Sequence, residues 1–352
     1  MFGKSNQRVG LDIGTNSIKL VVMDKSGGRM RPLRIVKQDI YHEPENYDPE
    51  GPKRSVAVPA LADTFKLAGM NPRKVRNLYT AIGGAQVSAK EIASVHLDDE
   101  EMASAMLLEA RKHIPLDGSS TIIDYQILGE HPKETDKVRV LIAATTTKLF
   151  ENHAEILRDL EMKPGVMDID QLAAINSYTS FNELPDEGVV VFVNSGTRKT
   201  NLTVMGRSDL FFTREIAIAG HAFTEELMKK FGINYAEAEK VKITQGMNPD
   251  LEIKSGDGEA AFKMAAKSII DRLGEEINRS LRYYVKESGQ SYFTQIILTG
   301  GSAALKGMDE MLSQKFNLPV KVYDPFAAMG EPANGNYGPQ FAVAVGLAMR
   351  GD

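Results

Sequence analysis

The stretch "VGLDIGTNSIKL" (residues 9–20) ends an apolar run on Asp12, turns through Gly14, Thr15, Asn16 and Ser17, and returns through Lys19. An apolar strand has no packing use for a carboxylate at its end, so Asp12 reads as chemistry rather than core. In a turn without bulky side chains, successive backbone N–H groups converge on one concavity that suits phosphate. The Thr15 and Ser17 hydroxyls add donors, and Lys19 adds a positive charge. A carboxylate beside that concavity suits magnesium, which keeps several waters and takes only one or two protein carboxylates. The chemistry implied is the cradling of a polyphosphate and its metal ion.

The chain contains this hairpin twice. "DIGTNSIKLVVM" (Asp12 to Met23) lies over "NSGTRKTNLTVM" (Asn194 to Met205) at a constant offset of 182 without gaps. Gly14 matches Gly196, Thr15 matches Thr197, and Leu20, Val22 and Met23 match Leu202, Val204 and Met205. Hairpins share turn residues for general reasons, but here the flanking strands and the next polar turns ("DKSGG", "GRSD") correspond as well. The pattern predicts two similar subdomains facing each other, with Thr197 adding a further hydroxyl to a site clamped from both sides. The aspartate of the first copy is Asn194 in the second, so the two sides differ in charge.

The elements that must position these hairpins belong to a chain of 352 residues, long enough for two domains or one two-lobed one. Hydrophobic residues make up 42% and charged ones 25%, an ordinary soluble balance. A net charge of −5 gives no electrostatic case for nucleic acid as the main partner. The absence of cysteine excludes disulfides, thiolate zinc sites and a cysteine nucleophile, and fits a reducing cytoplasm. The longest apolar runs, "GVVVFV" and "AVAVGLAM", are too short to span a bilayer, and "MFGKSNQR" lacks the apolar core of a signal peptide. A cytoplasmic protein is expected, with any membrane link made through a partner.

Residues 80–165 read as a separate α+β unit with split-βαβ order. "LYTAIGGAQVSAKEIASV" gives two strands around Gly83 and Gly84. "DDEEMASAMLLEARKHIP" is a helix with acids in its first turn, Arg111, Lys112 and His113 in its last, and Pro115 beyond. Met102, Met106, Ala110 and Ile114 form its core face. Two more strands, "STIIDYQILGE" and "KVRVLIAATT", precede a helix in "TKLFENHAEILRDLEM", and "ETDK" is a solvated turn. In the second half, "AGHAFTEELMKKFG" and "NYAEAEKVKITQG" are helical, and "GMNPDLEIKSGDG" is an exposed loop. A long helix follows, with Phe262, Ala266, Ile269, Leu273, Ile277, Leu281 and Val285 along one stripe. "QIILTGGSAALKGMDEMLSQKF" predicts a strand, a double-glycine turn where a flat ring could approach the backbone, and a helix. The six histidines have no ligand spacing, and no serine sits in a G-x-S-x-G elbow, so metalloenzyme and serine-hydrolase chemistry lack support.

These motifs together resemble the actin-like ATPase superfamily of actin, the heat-shock chaperones, the sugar kinases and the cell-division protein FtsA. "DIGTNSIK", "NSGTRKTN" and "LTGGSAALKG" stand in the order of its two phosphate motifs and its adenosine turn. Within it, "EARKHIPLDGSSTIIDYQIL", "VLIAATTTKLFENHAEIL", "MDIDQLAAINSY", "AEAEKVK" and "FAVAVGLAMR" are similar to the PilM family of type IV pilus assembly, over essentially the whole chain. The resemblance implies an α/β actin-like ATPase fold of two duplicated ribonuclease-H-like lobes. The first lobe would take 1–79 with 166–187 and 323–352, an inserted FtsA-type subdomain 80–165, and the second lobe 188–322. Carried over residue by residue, it implies Asp12, Gly14, Thr15, Asn16, Ser17 and Lys19 for the first phosphate motif, with Asp12 toward magnesium. Asn194, Gly196, Thr197 and Thr200 match the second motif, Glu239 and Lys242 the ribose stretch, and Gly300, Gly301 and Ser302 the adenosine turn. Asp170 and Gln171 fall near the acid or amide that orients an attacking water.

The implied protein binds ATP and magnesium between its lobes and the cytoplasmic N-terminal peptide of PilN, and so sits on the inner face of the inner membrane without inserting into it. Other pilus components, such as PilO and the motor ATPases, are expected around it. The superfamily's second phosphate motif usually carries an aspartate at the position of Asn194, so hydrolysis is expected to be slow or absent. A small-molecule kinase of the same fold would need a base, for which Asp168 or Asp170 could serve, and a polar substrate pocket that nothing in the sequence suggests. An FtsA-like filament protein would need an amphipathic tail beyond "VGLAMRGD", and the related secretion protein a transmembrane segment.

Overall fold

Two five-stranded sheets are built to one plan. The first runs β3(Arg31–Asp39), β2(Ser17–Asp24), β1(Gln7–Ile13), β4(Leu78–Ile82), β8(Val166–Ile169). The second runs β11(Phe212–Ile216), β10(Thr200–Met205), β9(Val189–Ser195), β12(Phe293–Thr299), β13(Val320–Val322). In each, three antiparallel strands are followed by two parallel ones. The central strands β1, β4 and β9 are buried along most of their length, as strands with helices on both faces must be. A computed structural model of the chain describes residues 7–25, 30–41, 43, 46, 53–112, 120–246, 258–331 and 338–350.

In the first lobe, Leu11, Leu20 and Val22 pack against Leu61 and Phe65 of α1(Arg54–Leu67) and Leu157 of α3(Thr147–Asp159). Val21 and Met23, on the opposite face, are covered by Ala344, Val345 and Ala348 of α10(Ala342–Met349). This contact is close. A Cβ on Gly10 would overlap the Ala344 carbonyl, and one on Gly346 would overlap the Ala173 carbonyl of α4(Asp170–Thr179). The second lobe packs Val191, Val193, Leu202 and Val204 against Ile269, Leu273, Ile277 and Tyr284 of α7(Gly258–Ser288). Its expected stripe residues Phe262 and Ala266 lie outside the described side chains. Around these stand α5(Gly220–Phe231), α6(Tyr235–Gln245) and α8(Met308–Phe316), whereas Phe326 of α9(Pro325–Ala328) packs with Val21 and Met23 of the first lobe.

The third sheet has the order β5(Val87–Val95), β7(Lys137–Thr146), β6(Thr121–Glu130), with β7 antiparallel to both neighbours. β5 and β6 are therefore parallel and joined through α2(Asp99–Arg111), the split-βαβ order that the sequence predicts. Asp98 caps α2 by accepting from the Glu100 and Glu101 N–H groups, and Met102, Met106 and Ala110 pack on Val138, Val140 and Ile142. Ile114 and Pro115 fall outside the described residues, as does most of the loop expected at 246–258.

Two elements expected inside the 80–165 unit belong largely elsewhere. β4 is an interior strand of the first sheet, because all five of its residues are buried between β1 and β8. The second half of α3 buries Leu157 in the first-lobe core, and Arg54 of α1 binds Glu155 and Asp159 on it. The inserted unit thus comprises β5, α2, β6 and β7, entered through Gly83 and Gly84. It also reaches the second lobe. Buried Glu91 of β5 takes two hydrogen bonds from Arg139 of β7 (2.6 and 3.0 Å) and one from the Phe211 N–H (2.9 Å), while Arg139 donates to the Asp209 carbonyl at 3.1 Å.

Candidate functional site

The two glycine hairpins are superimposable in their hydrogen bonding. Gly14 N–H donates to the Ser17 carbonyl at 3.2 Å, and Gly196 N–H to the Lys199 carbonyl at 3.0 Å, positions again 182 apart. Asp12 stands opposite Lys19 in the first ladder, and Asn194 opposite Asn201 in the second. The constant offset in sequence is therefore a constant offset in register. In the first hairpin the facing pair is ionic, with Lys19 Nζ 3.1 Å from Asp12 Oδ2. In the second it is a pair of neutral amides.

The turns open on one cleft of about 280 Å³ between the lobes. Its walls carry Asp12, Gly14, Thr15, Asn16, Ser17 and Lys19 from the first hairpin and Asn194, Gly196 and Thr197 from the second. Glu239 and Lys242 enter from α6, and Gly300, Gly301 and Ser302 close one end. Fifteen expected residues thus meet in one place, Asp170 among them at the first position of α4.

Local structure explains the double-glycine turn. Gly300 has φ +88°, and a Cβ there would come within 2.5 Å of Asn194 Oδ1. Gly301 faces open space, with nothing within 4 Å of where a Cβ would stand. Gly300 is therefore required by the close approach of β9, and Gly301 is the glycine that leaves room in the cleft. The predicted helix after the turn is first a short 3₁₀ segment, Gly301–Ala304, because Gly307 at φ +82° breaks the path before α8. Ser302 Oγ donates to the Gly196 carbonyl at 2.8 Å, fastening this turn to the second hairpin.

Charge in the cleft is partly self-paired. Lys242 is buried, donates to the Gly220 carbonyl (3.1 Å), Thr224 Oγ1 (2.9 Å) and Glu239 Oε1 (2.5 Å), and has its pKa lowered by burial against the opposing pull of Glu239. Burial, then the Asp12 carboxylate, pushes the Asp170 carboxyl up to about 7 against the attraction of Lys199 and Lys19. A carboxyl so poised can exchange a proton near neutrality, as a water-orienting acid requires. Among the described residues, no group of three or more His, Cys, Asp or Glu side chains could hold a metal ion. The donor set fits a magnesium ion carried chiefly by phosphate oxygens and waters, with Asp12 as its protein carboxylate.

Three expected residues lie elsewhere. Thr200 is buried, and its hydroxyl donates to the Ile218 carbonyl at 2.7 Å. Its repeat-mate is the fully buried Ile18, which marks it as a core position. Asp168 is buried behind the cleft, bonded to Arg350 and to the Ile169 N–H, so it cannot serve as a base there. Gln171 points away into the lobe interface, with its amide nitrogen 3.5 Å from Asn201 Oδ1.

The sequence reading missed the wall residues Lys37, Asn201, Gly220, Tyr235 and Ile243, and noted Arg198 and Lys199 as a basic pair without assigning them to the site. The repeat could have supplied Asn201 as the mate of Lys19. Ile243 stays 65% exposed beside Lys242, an apolar side chain placed where a flat ring would cover it.

The chain matches the family described as "Type IV pilus assembly protein PilM" over residues 10–352, and it belongs to that family. It is 24% identical over 311 residues to the cell division protein FtsA of Neisseria meningitidis serogroup B, covering 79% of this chain and 74% of that one. It is 26% identical over 230 residues to the FtsA of Helicobacter pylori strain J99, covering 56% of this chain and only 45% of the relative. Among solved structures it is similar to a PilM–PilN type IV pilus biogenesis complex, with TM-score 0.81, 22% identity and 98% of both chains covered. It also resembles MreB 5 of Spiroplasma citri bound to AMPPNP, with TM-score 0.54, 13% identity, and 98% and 95% covered. The fold is that of the actin-like ATPases.

Proposed function

We propose that this PilM-family chain is a nucleotide-binding scaffold of the type IV pilus assembly machinery. In this reading it holds ATP with magnesium between its lobes and works on the cytoplasmic face of the inner membrane by binding the N-terminal peptide of PilN. The observation that carries the nucleotide half is the pair of glycine hairpins with matching register, opening on one cleft. Their backbone N–H groups, with the hydroxyls of Thr15, Ser17 and Thr197, would take the phosphates. Glu239 would take the ribose hydroxyls, and the space over Gly301 beside Ile243 the base. Magnesium would supply charge neutralisation of the phosphates, with Asp12 as its carboxylate. Asp170 would orient water, but Asn194 supplies no charge where Asp12 does on the facing side, so turnover is slow and the bound state is what partners read.

The peptide half is supported by the likeness to the PilM–PilN complex and by the inserted sheet. No helix among the described residues is long and apolar enough to cross a membrane. β6 is an edge strand with Ile127 and Leu128 exposed, and it begins beside α3, where Thr147 N–H donates to the Ser120 carbonyl at 2.8 Å. An extended peptide laid on that edge would lie between the inserted unit and the first lobe, held by backbone bonds and side-chain pockets.

Two titrations test the reading. ATP or ADP with magnesium should raise the melting temperature by mass action, and Gly301→Leu should abolish that shift while leaving the free protein's melting temperature unchanged. The PilN N-terminal peptide of the same organism should bind saturably, and Ile127→Asp with Leu128→Asp should weaken it. A wild type indifferent to both nucleotide and peptide would refute the scaffold.

A further inference from the structure

A second cavity, of about 220 Å³, lies at the far end of the first lobe from the cleft. β1 runs from one to the other, with Gln7 and Val9 at this cavity and Asp12 at the cleft. β4 runs parallel beside it, from Leu78 toward the entry of the inserted unit. The floor of the cavity is apolar, formed by Val9, Met70 and Val75 of the first-lobe core. Three cations surround it. Arg34 of β3 stands on the rung that continues Val9 and Val22, so it shares their face of the sheet. Lys74 and Arg76 come from the segment between α1 and β4. All three residues are exposed, none has an ion-pair partner among the described residues, and no described carboxylate lines the cavity. Their neighbour Arg73, by contrast, is paired with Glu161 at 2.5 Å.

Residues 31–34 and 66–77 hold six basic residues and no acidic one, in a chain whose net charge is −5. Protection of an open sheet edge accounts for Arg34 on the edge strand β3, but not for Lys74 and Arg76. Leu67, which ends α1 ahead of these two, is 64% exposed, and Leu33 beside Arg34 is 49% exposed. Building on the reading above that the protein works at the inner membrane, we propose that this end of the first lobe rests on the bilayer surface. The phosphate of an anionic phospholipid headgroup then sits among Arg34, Lys74 and Arg76. Phosphate oxygens accept charge-assisted hydrogen bonds from ammonium and guanidinium groups. An anionic leaflet attracts basic clusters and takes apolar side chains at headgroup depth, whereas a soluble anion has no use for exposed leucines. The contact is peripheral and screened by salt, so it adds to the tether made by a membrane partner and does not replace it. The cleft, at the opposite end of β1, stays clear of the membrane.

Co-sedimentation of the full chain with vesicles tests this, using phosphatidylcholine alone or mixed with phosphatidylglycerol, at low and high salt. Binding is expected to the mixed vesicles only, and it should fall at high salt. The Arg34→Gln/Lys74→Gln/Arg76→Gln variant should bind roughly 10- to 100-fold more weakly, the scale of removing three cations from an anionic surface. Its three positions are exposed, so its melting temperature should match the wild type. Arg272→Gln/Arg282→Gln/Lys286→Gln removes the same charge from exposed positions of α7 and should bind like the wild type. Equal loss in the two triple variants overturns the proposal, as does equal binding to neutral vesicles or a wild type that ignores both. Saturable binding of glycerol phosphate in solution, without vesicle binding, would also overturn it and make the cavity a site for a soluble phosphate ester. The nucleotide and peptide titrations above do not involve these positions. A wild type that passes them and ignores vesicles loses the lipid site alone, and one that fails them loses the scaffold reading.

Discussion

The first and second glycine hairpins share a backbone and differ in charge. Turn closure, register and strand order agree at every compared position, yet Asp12 and Lys19 face each other in one and Asn194 and Asn201 in the other. Their supports differ as well. Behind the first, His153 of α3 meets Thr80 Oγ1 at 2.9 Å, and Thr80 donates to the Leu11 carbonyl at 3.0 Å. Because that hydroxyl proton is committed to Leu11, His153 donates from Nε2. Behind the second, Ser302 Oγ donates to the Gly196 carbonyl at 2.8 Å and Lys199 pairs with Glu215 at 3.0 Å, and its lobe is fixed to the inserted unit through Glu91. The difference teaches that the glycine turn is a property of backbone geometry, which two sequences can satisfy, whereas the electrostatics are set independently on each side.

That contrast can be broken from several sides. The largest effect is expected from Glu91→Ala, which strands the Arg139 guanidinium and the Phe211 N–H; losing one member of a buried pair costs ~3–5 kcal/mol. Urea denaturation would measure it, and a loss below about 1 kcal/mol would mean that the brace to the second lobe is not energetic. Next comes Gly300→Ala, which meets both a positive φ and the Asn194 side chain. It should cost roughly 2–3 kcal/mol and lower the melting temperature, in contrast to Gly301→Ala, which should leave it unchanged.

The support of the first hairpin should depend on pH. Burial holds the His153 imidazole down at about 4, against an ordinary value of 6.5. With the folded value depressed, its contribution is fully present above pH 6.5 and is lost as the pH falls toward 4. The ring keeps some contact with water, so the loss is roughly 2 kcal/mol. Asp170, with its carboxyl raised to about 7, works in the opposite sense, favouring the folded state on the acid side. Stability against pH should therefore be compared between His153→Gln and its parent, both carrying Asp170→Asn. Parallel curves from pH 7 to 4.5 would refute the assignment. The smallest effect concerns the charge swap itself. Asn194→Asp alone should cost about 1 kcal/mol, and adding Asn201→Lys should recover it by recreating the ion pair of the first hairpin. A double variant no more stable than the single one would show that the two hairpins are not interchangeable.

The duplicated plan and the hairpin walls of the cleft are legible in the sequence, because a repeat at fixed offset carries register with it. Helix α2 is legible for the same kind of local reason, with acids and a cap at its start and a methionine face. What the sequence hides is which sheet an apolar segment joins. "LYTAI" reads equally as a hairpin arm or a buried parallel strand, and only the β1 and β8 neighbours decide it. Asp168 and Asp170 look equivalent in "MDIDQ", but β8 turns the first toward Arg350 and α4 turns the second into the cleft. That Lys199 Nζ comes close to Gly84 is a relation that spacing along the chain does not record.

The helix that covers Val21 and Met23 has a temporal consequence. α10 is translated some three hundred residues after β1, a delay of roughly 15 to 65 seconds at ~5–20 residues per second. During that interval one apolar face of the first sheet has no cover, and the small side chains of α10 that let it settle over Gly10 are not yet made. The second lobe draws its sheet and principal helices from one continuous run, β9 to β13. The lobe begun first on the ribosome is the one completed last, and a nascent chain must keep that face from other surfaces until its final helix arrives.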